Sequence, residues 1–279
     1  MFHVEKMTLG DLEFAVRLSD TMNWNSVEED FEYMMSLEPN GCFVLFFNSE
    51  KVGIATTISF DKVGWLGNVL VSEKYRGKGG GSLIVKNSIE YLSNKGVETI
   101  GLFSYVDRVP FYVKQNFQSD SRFIVLKGKG FSASTRSDIR IAQNDDMQQI
   151  FDLDRLCFGG SRRRLLEPVL HDPTNLCHIC TNDDWILGFI VAKVFDEEFE
   201  IGPLVCRGGY DDVAMDLLKT TLKKLNHGEV SLCVPEKESK ILNLLKRNGF
   251  REDFSLVRLY RGTPMINDYI YVVESLERG

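Results

Sequence analysis

No stretch of this 279-residue chain approaches the roughly 18 consecutive apolar residues that would cross a membrane as a helix. The opening Met1-Phe2-His3-Val4-Glu5-Lys6 lacks the apolar core of a secretory leader. Basic charge is scarce as well. The 33 Lys and Arg stand against 40 Asp and Glu, a formal net charge of −7. Such a chain is a poor non-specific binder of nucleic acid, because phosphates need a basic face. It can still hold a local basic pocket for a small anion. Neither a membrane nor a nucleic-acid partner is expected. Cysteines number six, scattered without the spacing of a disulfide framework. That usage points to a reduced intracellular protein, hence the cytoplasm. Cys177-His178-Ile179-Cys180 looks like half of a zinc site, but no second CxxC or spaced His pair completes it. Its alternation suits a half-buried strand better, so no metal is expected.

What is present is an ordinary globular balance, 43% hydrophobic and 26% charged, which argues against disorder. The length favours two domains, each able to bury a core. A weak internal repeat with a period of about 134 residues supports that division. Val4–Thr8 leads into Asp11–Val16 much as Ile139–Ala142 leads into Asp145–Ile150, each a strand followed by a helix. Thr8 and Asn144 are the expected N-caps. Each unit closes on a short helix, Phe111–Phe117 and Leu244–Phe250, with Asn116 and Gly249 at the expected left-handed stops. Gly128–Ser137, rich in Gly and Ser, reads as the linker. The division is therefore 1–130 and 138–279. In the first unit, strands are expected over 41–47, 52–60, 64–72 and 97–103. A helix between the last two has Leu83, Ile84, Ile89 and Leu92 at helical spacing. Fold class is α/β with a mixed sheet: an antiparallel meander, then a strand–helix–strand crossover that implies a parallel pair.

The sharpest local signal lies between that strand and that helix. Four glycines occupy five positions in Arg76-Gly77-Lys78-Gly79-Gly80-Gly81-Ser82. Glycine lets a ligand approach the backbone, and the first helical turn offers unpaired N–H groups and the positive end of its dipole. A pyrophosphate suits such a place, with Arg76 and Lys78 adding charge. The plain alternative is a flexible glycine-rich surface loop. The GxxxxGK[ST] phosphate loop is absent. A GxGxxG dinucleotide fingerprint fails because Ser82 stands where the third glycine belongs, and because about 70 residues precede the loop.

Arg76–Gly81 does match the R/Q-x-x-G-x-G/A loop of the GNAT acetyltransferases, and Tyr75-Arg76-Gly77-Lys78-Gly79 is similar to a string common in that family. The first 127 residues or so resemble a full GNAT domain. The whole chain resembles tandem-GNAT proteins, through Asn23-Trp24-Asn25, Gly101-Leu102 and Phe111–Phe117 in the first half, and Asp154–Arg162 and Ile201–Val205 in the second. The resemblance implies two tandem acyl-CoA N-acyltransferase folds, with acetyl-CoA as co-substrate and direct attack by a small-molecule amine in a ternary complex. It implies that backbone around Val69, Leu70 and Val71 pairs with the pantetheine arm and offers an N–H to the thioester oxygen. Tyr112 stands at the family's position for the acid that protonates the leaving thiolate, although a packing aromatic would look the same. Asn23 and Trp24 follow the first helix, where acceptor walls form in this fold. A core Trp between capping Asn residues is the alternative. No general base stands out: the strand from Gly64 to Val71 carries no acid, and Asp20, Glu28 and Glu29 read as solvated helix faces.

At the matched place in the second half, Val205–Ala214 has lost the R-x-x-G-x-G string, and Asp211 and Asp212 would repel phosphate. Leu245 replaces Tyr112. That half is expected to keep the fold, to lack cofactor chemistry and to complete the acceptor cleft. Its core is expected from Phe151, Leu153, Ile190, Val191, Leu217, Leu218 and Phe250. Arg162-Arg163-Arg164 reads as a solvated helix cap, or else as a contact for an anionic substrate group. A non-catalytic acyl-CoA-binding regulator is the competing function, and protein acetylation a third.

Overall fold

The computed structural model describes residues 1–133, 138–195, 198–225, 228–264 and 269–279. The first half runs β1 (Phe2–Lys6), α1 (Leu12–Asp20), α2 (Glu28–Leu37), β2 (Cys42–Phe47), β3 (Glu50–Phe60), β4 (Val63–Val71), α3 (Gly80–Asn94), β5 (Thr99–Tyr105), α4 (Val109–Val113) and β6 (Gln118–Lys129). The second runs β7 (Ile139–Ile141), α5 (Met147–Phe158), α6 (Arg163–His171), β8 (Leu176–Asn182), β9 (Trp185–Phe195), β10 (Glu198–Cys206), α7 (Asp211–Lys224), β11 (Glu229–Pro235), α8 (Ser239–Arg247), β12 (Arg251–Gly262) and β13 (Ile270–Val272).

Both halves open alike. The Thr8 N–H donates to the Asp11 carboxylate at 2.7 Å, and the Gln143 N–H donates to Asp146 at 2.7 Å. The second cap is thus Gln143 rather than Asn144, which sits one residue inside the turn. Asn116 and Gly249 do take left-handed conformations, with φ of 64° and 88°. Meander and crossover are as expected: β2, β3 and β4 pair antiparallel, and β4 pairs parallel with β5. Of the apolar residues spaced along α3, Leu83 is exposed and Ile84, Ile89 and Leu92 are buried.

The two halves share one sheet. Its order is β1-β2-β3-β4-β5-β12-β6-β11-β10-β9-β8-β7, with β13 on β10. Strand β12, from the second half, lies antiparallel against β5, and β6, from the first, lies between β12 and β11. The halves have exchanged strands. This corrects the linker: Gly128 and Lys129 belong to β6, which runs on because β11 continues to pair with it through Glu229. Ser134–Ser137 lie outside the described residues.

Side chains alternate between two faces of the sheet, as strand geometry requires. Phe43, Leu45, Val52 and Leu66 pack with α3 and Tyr112 on one face. Val44, Ile54, Ile58 and Trp65 face the other way, into a core that also takes α1, α2, α5 and α6. That core crosses the halves: the Tyr33 hydroxyl donates to the Leu165 carbonyl at 2.7 Å, and Phe60 meets Phe158 edge-on at 5.4 Å. The expected second-half core residues are all buried. Phe151, Leu153 and Val191 join this shared core, while Ile190, Leu217, Leu218 and Phe250 pack under α7 and α8. Each half therefore borrows both a strand and core contacts from the other.

Candidate active site

The site grows from one irregularity in β4. Parallel pairing of β4 with β5 stops at Trp65 and Gly101. Beyond that point β4 keeps β3 on one edge, and among the described residues no strand lies on the other. The register with β3 slips between Gly67 and Leu70, and Asn68 at the slip takes a φ of 50°. A bulge of this kind re-aims the backbone. It leaves Val69, Leu70 and Val71 with an unpaired edge facing the gap. Asn68 escaped the sequence reading, although an Asn inside an apolar strand was the available signal, since Asn tolerates that conformation.

At the carboxyl end of β4 the chain turns through Arg76 and the glycines into α3. Gly79 caps the helix with a φ of 92°, and Gly77 has a φ of 74°. An L side chain is strained at either value, which accounts for glycine here. A Cβ on either residue would meet no protein atom within 4 Å, so the space over the loop is open. Gly80 instead sits tight against Phe2 and Leu45, where a Cβ would come within 2.9 Å of both. Gly81 faces Phe111 at ordinary contact distance. The Arg76 Nε donates to the Val71 carbonyl at 2.8 Å, which lays the guanidinium beside the strand end. Lys78 bonds the Lys74 carbonyl at 2.7 Å and lies over the Tyr75 ring. The Tyr75 hydroxyl in turn meets the Glu50 carboxylate at 2.5 Å, pinning the loop's first turn to β3.

Helix α4 is locked to the start of α3. Gln115 donates to the Ser82 hydroxyl at 3.0 Å, and Phe111 lies against Gly81. This fixes Tyr112, whose side chain is only 7% exposed, with its ring edge-on to Phe111 and Phe117. Its hydroxyl has no hydrogen-bond partner among the described residues. Burial holds its pKa above the usual phenol range. Leu245 is its counterpart: the Phe117 N–H donates to the Tyr112 carbonyl at 3.1 Å, as the Phe250 N–H does to Leu245.

The acceptor-wall candidates lie close by. The Trp24 indole donates to the Tyr105 hydroxyl at 3.1 Å, tying the α1–α2 loop to the end of β5. Asn23 is exposed, and both Asn23 and Asn25 have positive φ, so the two amides serve a tight turn around Trp24. Met22 from the same loop lies 3.8 Å from Arg76. Asp20, Glu28 and Glu29 are exposed.

The second half lacks these features at matched positions. Helix α7 starts on Asp211, and a cavity of about 360 Å³ at its N-terminus is lined by Asp138 and Asp212 with Asn182, Gly209 and Tyr210. Two carboxylates are the wrong charge for a phosphate. Cys177 and Cys180 face opposite sides of β8, in different cores, so they cannot share a metal. The arginine run is structural. Arg162 is buried rather than solvated and forks onto Asp154, Arg163 pairs with Glu167, and Arg164 donates to the Leu37 carbonyl.

A mixed sheet split beside a bulged strand, over a helix capped by glycine, defines an acyltransferase of the GNAT type. Residues 12–117 match the acetyltransferase (GNAT) family and residues 150–272 an acetyltransferase (GNAT) domain, so the chain belongs to the GNAT acetyltransferases and carries two GNAT domains in tandem. Holothin acyltransferase of Pseudoalteromonas sp. (strain SANK 73390) is 22% identical over 263 residues, 92% of this chain and 87% of that protein. The uncharacterised N-acetyltransferase YitH of Bacillus subtilis (strain 168) is 22% identical over 79% of this chain and 78% of its own length. In fold, the chain is similar to a Pyrococcus horikoshii protein described as an acetyltransferase, with a TM-score of 0.81 at 23% identity over 100% of this chain and 96% of that one. A tandem GNAT protein of the clavulanic acid biosynthesis pathway aligns over 95% of this chain and 99% of its own, with a TM-score of 0.63 at 10% identity.

GNAT proteins use acetyl-CoA, and the loop fits its pyrophosphate: open space over Gly77 and Gly79, free N–H groups at the start of α3, and Arg76 beside them. Two substitutions probe that fit. Arg76→Ala is expected to weaken acetyl-CoA binding by about 1–3 kcal/mol, the range for a hydrogen bond to a charged group. Gly79→Val places a branched side chain at a left-handed φ and in the phosphate's path, and should reduce binding below calorimetric detection. Titration calorimetry with acetyl-CoA reads both, and wild-type affinity in Gly79→Val would remove the loop from the site.

Proposed function

We propose that this acyltransferase moves an acetyl group from acetyl-CoA to the amine of a small molecule, at one site per chain in the first half. The unpaired edge of β4 beside the glycine-capped α3 supports the reading, because among the described residues only the first half has it. The co-substrate supplies an acyl group activated as a thioester. Arg76, Lys78 and the backbone of Gly79, Gly80, Gly81 and Ser82 would hold its pyrophosphate. Val69, Leu70 and Val71 would pair with its pantetheine arm along the edge of β4 that faces the gap, where Arg76 already holds the Val71 carbonyl, one N–H serving the thioester oxygen. Tyr112 keeps its proton at neutral pH, because burial holds its pKa high, and gives it to sulfur as the C–S bond breaks. Trp24, Tyr105 and Asn23 bound the space the amine would enter.

The unpartnered Tyr112 hydroxyl favours an enzyme over an acyl-CoA-binding regulator, since binding alone has no use for it. The cytoplasm is the proposed compartment, supported by six cysteines that are all unpaired and buried. Among the described residues no helix is long and apolar enough to cross a membrane. The test is a panel of amines, amino acids and polyamines with acetyl-CoA, followed by free thiol release. Amine-dependent thiol release and a calorimetric stoichiometry of one are expected. A stoichiometry of two, or acetyl-CoA binding with no acceptor-dependent release across the panel, would refute the proposal.

A further inference from the structure

The gap beside β4 has a counterpart in the second half, and there it is filled. Parallel pairing of β10 with β11 stops at Ile201 and Leu232, as that of β4 with β5 stops at Trp65 and Gly101. The register of β10 with β9 slips between Ile201 and Leu204, matching the slip in β4. Beyond the slip, β13 lies antiparallel on β10, pairing Leu204 with Val272 and Val205 with Ile270. The Cys206 N–H donates to the Tyr269 carbonyl at 3.1 Å. Leu204, Val205 and Cys206 are the counterparts of Val69, Leu70 and Val71. The chain's own strand thus holds the groups that in the first half are proposed for pantetheine.

The place of the phosphate is taken as well. The Tyr271 hydroxyl donates to the Asp211 carboxylate at 2.5 Å, at the first residue of α7, and Tyr269 lies against Gly208. Asp211 therefore has a positive use: it receives an aromatic side chain where its family's helix start would receive an anion.

From β13 the chain runs on toward the first half. The Val273 N–H donates to the Cys233 carbonyl at 3.1 Å. A side chain at Gly202 would run into the Val273 carbonyl, and one at Gly67 into the Glu277 carbonyl. Gly202 and Gly67 are matched positions on β10 and β4, so one segment is seated on both split strands. Trp65 meets the same segment through Gly279 and the Leu276 carbonyl. Between the two seats, Glu274 is fully buried, and Lys193 bonds its carbonyl at 2.7 Å and its carboxylate at 3.0 Å. Arg278 pairs with Glu274 at 3.2 Å. The Gly67 seat is on the face of β4 that carries Trp65 and the helices α1 and α2, the side of the Trp24 loop.

We infer that Tyr269–Gly279 is a latch, closing the second half's acyl-CoA channel with β13 and walling the acceptor side of the first half's thioester with Val273–Gly279. Tyr271, Asp211 and Glu274 are its positioning residues. The inference rests on the proposed acyl-transfer site in the first half. A wall there keeps water from the thioester, and without it acetyl-CoA and water give acetate and the free thiol of CoA. Latch loosening is therefore read without any amine.

The experiment uses the full chain with acetyl-CoA alone. Tyr271→Phe removes the bond to Asp211, and Glu274→Gln weakens the central anchor; neither residue touches the glycine loop. Both variants should release thiol from acetyl-CoA about fivefold faster or more, and amides of 273–279 should exchange at least tenfold faster. Calorimetric affinity for acetyl-CoA should stay within about twofold. Asp211→Asn keeps an oxygen for the Tyr271 hydroxyl and should behave as the wild type, whereas Asp211→Ala should follow Tyr271→Phe. If Glu274→Gln does not fold, Tyr271→Phe decides alone. Unchanged hydrolysis in Tyr271→Phe and Asp211→Ala overturns the latch, whatever their exchange rates. Faster hydrolysis and exchange with no amine ever acetylated would leave the latch standing and sink the amine acceptor instead.

Discussion

Tyr112→Phe is expected to lower kcat by about 10²-fold or more while acetyl-CoA affinity changes by less than about twofold. Removing one hydroxyl leaves the packing intact, because the ring does the packing. It lies among Phe111, Phe117 and the α3 side of the sheet, and among the described residues the hydroxyl has no hydrogen-bond partner. In the proposed mechanism the step lost is proton delivery to a thiolate whose conjugate acid has a pKa near 8.5, against a phenol normally near 10 and held higher here by burial. That order of acidities leaves donation uphill even to the fully formed thiolate, so the proton moves late, once charge has collected on sulfur. The effect should therefore fall on kcat and spare ground-state binding. Stopped-flow or steady-state thiol release with the best amine of the panel measures it. Unchanged kcat, with chemistry demonstrated to be rate-limiting, would return Tyr112 to a packing role.

The largest stability effect is expected at Arg162. Its side chain is 1% exposed, as is that of Asp154. Two guanidinium nitrogens reach the two Asp154 oxygens at 3.1 and 2.6 Å, a third donates to the Gly279 carbonyl, and the plane stacks 4.3 Å over Phe158. Arg162→Ala would strand a buried carboxylate, and breaking such a pair costs about 3–5 kcal/mol. Urea unfolding of the full chain reads this as a fall in midpoint. The double variant Arg162→Met with Asp154→Leu should recover most of the loss, because burying two apolar side chains of similar size carries no charge penalty. Equal instability of the single and double variants would mean that the contact to Gly279, rather than the ion pair, carries the stability here.

Shared strands bear on the halves themselves. A fragment ending near Lys129 would expose β6 and the edge of β5, and one starting near Asp138 would leave β11 without β6. Unpaired edges of that length invite association. The two family matches, over 12–117 and 150–272, mark two repeats of one fold, and one sheet runs through both.

Local chemistry was legible in the sequence. The run of glycines at 77–81, between a strand and an amphipathic helix, marked the turn that the structure shows there, with Gly77 and Gly79 at positive φ. These constraints act within a dozen residues, so the string carries them. The closing helices were readable for the same reason: Asn116 and Gly249 tolerate the left-handed stop that ends them. The absence of a glycine loop from the second half was readable as well, from Asp211 at the start of its helix and Leu245 at the place of Tyr112. What tertiary structure decided is what depends on partners far along the chain. An apolar run such as Phe123–Leu126 in β6 does not say which edge receives it, and here β6 and β12 each pair across the halves. Arg162 read as a solvated charge because nothing nearby in sequence marks Asp154 and Gly279 as its buried partners. Three residues, Ile270–Val272, are too short a run to announce a strand. They become one only because β10, split from β11, offers free backbone groups that a buried segment must satisfy.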